Sequence, residues 1–222
     1  MQVAFPYPVK VQSSTPKLSG MRFSPFTNID GESFATPTLN GHWKLELDIA
    51  AIGMQGHLAL SSFVTQMEAA GANCVVPVCT QWRPNDASGR MLAPNGSAPE
   101  WTFDHVGFAN DPFDGFTLRA AASHRDSYID VDKPVLSQLW PGHYITLGDR
   151  LHQVGNVSAI GESDTAIRVS VMPNIRGNHD AGAVVVVDQL RLKCRMETGD
   201  QVGGFRGPSP VRFGSVSLVE AF

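Results

Sequence analysis

Residues 43–49 read Trp43-Lys44-Leu45-Glu46-Leu47-Asp48-Ile49, apolar and charged side chains in strict alternation. A period of two turns Trp43, Leu45, Leu47 and Ile49 to one face and the charges to the other. The stretch predicts a strand in a sheet with one dry and one wet side. The period then changes. Leu60, Phe63, Val64 and Met67 fall at i, i+3, i+4 and i+7, which predicts a helix over about 56–70 with Gly71 as its C-terminal stop. Asn73 to Cys79, rich in Val, reads as a further strand.

Before this unit, residues 1–20 are polar and Pro-punctuated and predict an extended arm or an edge strand. Met21 to Phe34, with Pro25 and Asp30-Gly31, reads as short strand, turn, short strand. After it, 81–115 contains Pro84, Pro94, Pro99 and Pro112 among Gly, Asn and Asp, the composition of a long irregular connection. From Phe116 the pattern is almost purely β. The predicted strands are 116–122, 127–131, 143–147, 150–154, 157–160, 166–172, 183–187, 190–196 and 213–219. Turn signals separate them at Leu147-Gly148-Asp149, Gly161-Glu162-Ser163 and Asn174 to Gly182. Val184 to Val187 is uninterrupted apolar and predicts a strand covered on both faces. Residues 197–210, with four Gly and two Pro, form another loop. Short strands at this spacing indicate a mainly β fold of sandwich or small-barrel type with one α-helix.

Composition narrows the function. The 222 residues are enough for one or two domains with a sizeable core. The net charge of −4 excludes the broad basic surface of a nucleic-acid binder and the polybasic face of a membrane-surface protein. No apolar run approaches the roughly 18–20 residues of a membrane span. Pro6 and Pro8 stand where a secretory leader places its apolar core, so a soluble, cytoplasmically made protein is expected. Four residues separate Cys74 from Cys79, and Cys194 is remote, so no zinc spacing arises and three buried, reduced thiols are expected. Charged residues make up only 17% of the chain, against roughly 25% in an ordinary domain.

Gly177-Asn178-His179-Asp180 matches the Gly-Asn-His-Asp signature of calcineurin-like metallophosphoesterases, and Gly148-Asp149 lies upstream. A dinuclear centre needs several further O and N ligands. Gly148-Asp149-Arg150-Leu151-His152 lacks the second Asp of that pattern, no Asp-x-His occurs, and no His follows His179. These departures weigh against a metal centre, and a polar turn accounts for the same residues. Asp104-His105 near a Ser lacks the Gly-x-Ser-x-Gly elbow of a hydrolase. His152, on a predicted strand, reads as a structural histidine. Asn95-Gly96-Ser97 and Asn156-Val157-Ser158 fit a glycosylation sequon but carry no weight without secretion. Trp82, Trp101, Phe103, Phe108, Phe113 and Phe116 crowd the long connection, as loop anchors or as the lining of a sugar-binding groove, and anchoring is favoured. No catalytic, cofactor-binding or metal-binding residue is assigned.

Two segments carry a family resemblance. The strand with Trp43, Leu45 and Leu47, the helix with Leu60 and Phe63, then Gly71 and Val76-Pro77 resemble the N-terminal belt domain of siphophage distal tail and minor tail-tip proteins. Trp140-Pro141-Gly142-His143-Tyr144-Ile145-Thr146-Leu147-Gly148-Asp149-Arg150-Leu151-His152-Gln153-Val154 looks like a hairpin of those tail-tip proteins, with Met172-Pro173-Asn174-Ile175-Arg176 similar to the element that follows it. The ending Val216 to Phe222 is similar to the closing strand. His143 replaces the usual Asp of Pro-Gly-Asp, and Met67-Glu68-Ala69-Ala70-Gly71 replaces a Leu-Arg-Gly ending.

The resemblance covers about 40–80 and 138–222. It implies a belt-like β-sandwich with one helix over 1–112, completed by 191–222, and an inserted small β-barrel or sandwich over 113–190. Two sequential domains dividing near 110 are the alternative. It further implies a non-enzymatic virion protein, assembled in the host cytoplasm into a hexameric or trimeric ring, with tail tube, hub and tape-measure proteins as partners. No cofactor, nucleic acid or membrane insertion is implied. A glycan-binding tail module is the alternative function, and a metallophosphoesterase a remote one.

Overall fold

The structure is a computed structural model and describes residues 1–22, 26–27, 29–34, 41–86, 88–92, 113–197 and 211–222. The alternating stretch forms β4 (His42–Ile52). Trp43, Leu45, Leu47 and Ile49 are buried, while Lys44 and Glu46 pair outward with Glu197 and Lys17 at 2.5 and 2.9 Å. The strand outruns its alternation because Ala50 and Ala51 are also buried. Gly56 of the following helix is buried against this end of the strand, where a Cβ would stand in ordinary contact, 3.4 Å from the Ala51 carbonyl carbon.

That helix, α1 (Gly53–Met67), begins and ends three residues before the predicted 56–70. Leu60, Phe63, Val64 and Met67 form its buried face as the period requires. Gly71 does not cap it. The last turn closes on Glu68, whose N–H donates to the Val64 carbonyl at 3.1 Å, and Gly71, at φ +74°, turns the chain toward the next strand. Two antiparallel sheets of five strands follow from the pairing, with one helix among the described residues.

The first sheet runs β1 (Lys10–Ser19), β4, β12 (Val211–Glu220), β11 (Arg191–Met196), β5 (Cys74–Pro77) in space. Chain segments remote in sequence therefore share it, Val211 standing opposite Ile52 and Val219 opposite Lys44. Val3, Phe5 and Val9 precede β1 and are buried in the same core, Phe5 against Phe63 at 5.4 Å between ring centroids. A two-stranded ribbon, β2 (Phe26–Thr27) and β3 (Ser33–Phe34), matches the predicted short strand, turn, short strand.

The second sheet runs β6 (Thr117–Leu118), β7 (Tyr128–Asp132), β10 (Ala166–Met172), β9 (Arg150–Ala159), β8 (Tyr144–Leu147). Three expectations are corrected here. The strands expected at 150–154 and 157–160 are one strand. The break is a bulge: the register slips between Ser170 and Val171, and the Asn156 N–H donates to Ser170 Oγ at 2.7 Å. The strand expected over 116–122 shrinks to Thr117–Leu118.

Residues 183–187 form no continuous strand but make isolated bridges, Val184 with Thr117 and Val186 with Thr146. Within the single chain one face is covered. Val185 and Val187 are fully buried, while Val184 is 38% exposed. The alternation is hidden in the sequence because all four residues are Val.

Phe116, Leu118, Val131, Ile145, Leu147, Val169, Ile175, Val185 and Val187 belong to the second core. Leu151 of β9 joins the first core instead, so the sheets meet there. Among the described residues no helix is long and apolar enough to cross a membrane.

Candidate functional site

The most organised polar cluster lies where β9 and β12 approach the start of β4. The Trp43 indole Nε1–H donates to the Leu151 carbonyl at 2.7 Å, and the Trp43 N–H donates to Glu220 Oε2 at 3.1 Å. Tyr144 stands edge-on to Trp43 with centroids 5.7 Å apart. Glu220 is fully buried and accepts from Arg150 Nη1 at 2.9 Å through its other oxygen. Both carboxylate oxygens are thus occupied, the condition under which a buried charge is tolerated.

A second guanidinium completes the cluster. Arg176 lies 4.1 Å over the Phe222 ring, with Arg150 5.5 Å from the same ring, and Arg176 Nη2 donates to the Gly41 carbonyl. Burial lowers the Arg176 pKa, partly offset by Glu220. Beside it, His152 is buried with Nδ1 2.8 Å from the Pro173 carbonyl. A carbonyl only accepts, so Nδ1 carries the proton of the neutral ring. Burial above all, helped by His179, Arg150 and Arg176 and opposed by the Pro173 hydrogen bond, pushes the His152 pKa down to about 4. Chemically the arrangement is a clasp. It holds the closing strand, the hairpin β8–β9 and the 173–176 segment together and presents no activated nucleophile.

The metallophosphoesterase-like residues are placed differently. Asn178 Oδ1 accepts from the His124 N–H at 3.0 Å, the Gly177 N–H donates to His124 Nδ1 at 3.3 Å, and His179 exchanges both backbone hydrogen bonds with Ala122 at 2.9 Å. Gly177 sits at φ +92°, a conformation that favours glycine. The Asp180 carbonyl accepts from the Ala183 N–H at 3.2 Å. These are turn-forming roles. The fold does bring Gly148 to His179, since a Cβ there would stand 3.7 Å from His179 Cε1. Even so, among the described residues no three of His, Cys, Asp and Glu gather as a metal site.

Asp104-His105, Trp101, Phe103, Phe108 and Asn95 lie outside the described residues, as does most of the irregular connection. Of the remaining aromatic residues, Phe116 is fully buried with Phe113 edge-on at 6.0 Å, both anchoring, whereas Trp82 is 69% exposed. Cys74 and Cys194 are buried as expected, but Cys79 is exposed. It follows the end of β5, where its N–H donates to Ser14 Oγ at 2.7 Å and leads the chain out of the sheet.

The sequence pattern missed the clasp. Glu220 and Arg150 stand 70 positions apart, and a lone Glu in an apolar closing strand was the one available sign. No family model matches the chain, and no curated protein matches it.

Proposed function

We propose that the chain is a structural subunit of a tailed-phage tail tip, a distal tail protein forming a ring between the tail tube and the tip or hub. The observation that carries this reading is the contact between its two family-like segments. Trp43 of the strand–helix–strand unit donates to the Leu151 carbonyl of the hairpin at 2.7 Å. Segments that resemble one family in separate stretches are here parts of one junction.

In this reading residues 1–112, completed by 191–222, form a belt-like β-sandwich, and 113–190 form an inserted small β domain. The return of β11 and β12 to the sheet of β4 and β5 supports the first part. The bridges from 183–187 to both β6 and β8, the two outer strands of the second sheet, support a closed barrel for the insert. The ring, hexameric or trimeric, uses a heterologous interface in which one patch meets a different patch on the next copy. The other partners are tail tube, hub and tape-measure proteins, and the assembled location is the virion. Negative-stain images of the purified protein test this: rings of uniform diameter are expected, and isolated particles with no co-purifying tail protein contradict it.

The exposure of Trp82 favours a second reading, a glycan-binding tail module, since sugars stack on free aromatic faces. Glycan arrays with wild type and Trp82→Ala decide it. Binding lost in the variant supports it, and no binding by wild type removes it.

A further inference from the structure

Cys74 and Cys194 are direct cross-strand partners in the pairing of β5 with β11. Side chains at such a pair point to the same face of the sheet. Here that face is the first core, where both are fully buried among Val76, Leu192 and Leu218. The ladder fixes the kind of pair. The Val78 N–H donates to the Leu190 carbonyl at 2.8 Å, and the register steps from there through Val76 and Leu192 to Cys74 and Cys194. Two residues at a time, this makes the cysteines a hydrogen-bonded pair, with Cα atoms about 5.5 Å apart. That separation lies within the range a disulfide spans, roughly 4.4–6.8 Å, while the Cβ atoms of a hydrogen-bonded pair stand about 5.5 Å apart against roughly 3.5–4.5 Å in a bridge, so closure draws β5 toward β11.

We propose that Cys74 and Cys194 are a site of reversible disulfide formation that ties the edge strand β5 to β11. Access comes from the position of β5. It is the outermost strand of its sheet and only four residues long, held beyond its ends by Met1 and Val3 at Asn73 and by Ser14 at Cys79, and an element this short opens locally without global unfolding. Burial pushes the Cys74 thiol up to about 12 and raises Cys194 as well, so reaction proceeds from the opened strand, where the thiol ionises more readily.

With a low-molecular-weight disulfide such as oxidised glutathione, the Cys74 thiolate attacks one sulfur and a glutathione thiolate leaves with the electron pair. On closing, the Cys194 thiolate attacks Cys74 Sγ and expels the second glutathione. Two protein thiols are oxidised, one glutathione disulfide is reduced to two thiols, and the two protons pass to them. The ring so closed spans residues 74–194, so it restricts most of the unfolded chain.

The test uses the full chain carrying Cys79→Ser, which removes the exposed thiol. It is equilibrated in glutathione buffers of rising oxidised fraction, with and without urea below the unfolding transition, then quenched, denatured and alkylated. The expected result is a fall from two alkylated cysteines to none and a peptide linking Cys74 to Cys194. The melting temperature should rise by about 5 °C, a shift that dithiothreitol reverses. Two alkylated cysteines at every ratio, in urea as well, overturn the proposal. So does a persistent glutathione adduct on either cysteine, which a partner in register would have displaced. Because the assay reads one chain, its failure leaves the ring reading untouched.

Discussion

Burial holds the His152 imidazole neutral, with a pKa pushed down to about 4 against an ordinary 6.5. The unfolded chain therefore binds the extra proton first as pH falls. The stability held above pH 6.5 is lost progressively toward pH 4, by about 3 kcal/mol in full. Urea midpoints at pH 7 and pH 4.5 test this against His152→Asn, whose amide can still donate to the Pro173 carbonyl. Wild type should lose on the order of 2 kcal/mol more than the variant between the two values, and parallel losses would refute the assignment.

Glu220 makes the companion case. Glu220→Ala strands Arg150 and the Trp43 N–H together, so chemical denaturation should show a loss of about 2–4 kcal/mol. Glu220→Gln, which keeps an acceptor for Trp43, should lose less. At this scale the sequence was half legible. His152 was readable as a structural histidine because its strand was visible, whereas the Arg150–Glu220 pair needs the return of β12 and has no local signature.

Elements were legible where their period was local and unbroken. β4 and the buried face of α1 follow directly from alternation and from the 3.6-residue repeat, with errors of a few residues at the ends. Leu60→Ala should therefore cost roughly 2–4 kcal/mol, while exposed Leu58→Ser should stay within about 0.5 kcal/mol, both read from urea midpoints.

The misread elements have physical causes. Gly155-Asn156 has the composition of a turn but forms a bulge, because Ser170 supplies the hydrogen bond that the slipped ladder lacks. A Cβ on Gly155 would stand 2.9 Å from that Ser170 oxygen. Gly155→Ala should then destabilise by about 1–2 kcal/mol, and Ser170→Gly, which clears the space, should abolish most of that increment in a double-mutant cycle. A fully additive pair would show that the bulge is not held this way.

The low charge of the chain acquires a physical meaning only for the whole molecule. A free monomer with 17% charged residues has a thinly protected surface, whereas a ring subunit buries much of it in interfaces whose centres are depleted of charge. The outer face of α1 fits that picture, with Met54 and Leu58 both exposed and no acidic or basic residue along the helix except His57. The proposed assembly rests on the resemblance, since one chain's periodicity says nothing of its neighbours. Mass photometry of the purified protein across the nanomolar to micromolar range addresses ring formation most directly. A discrete species at six or three times 24.0 kDa, persisting on dilution, is the predicted result, and a strictly monomeric protein at every concentration would contradict it.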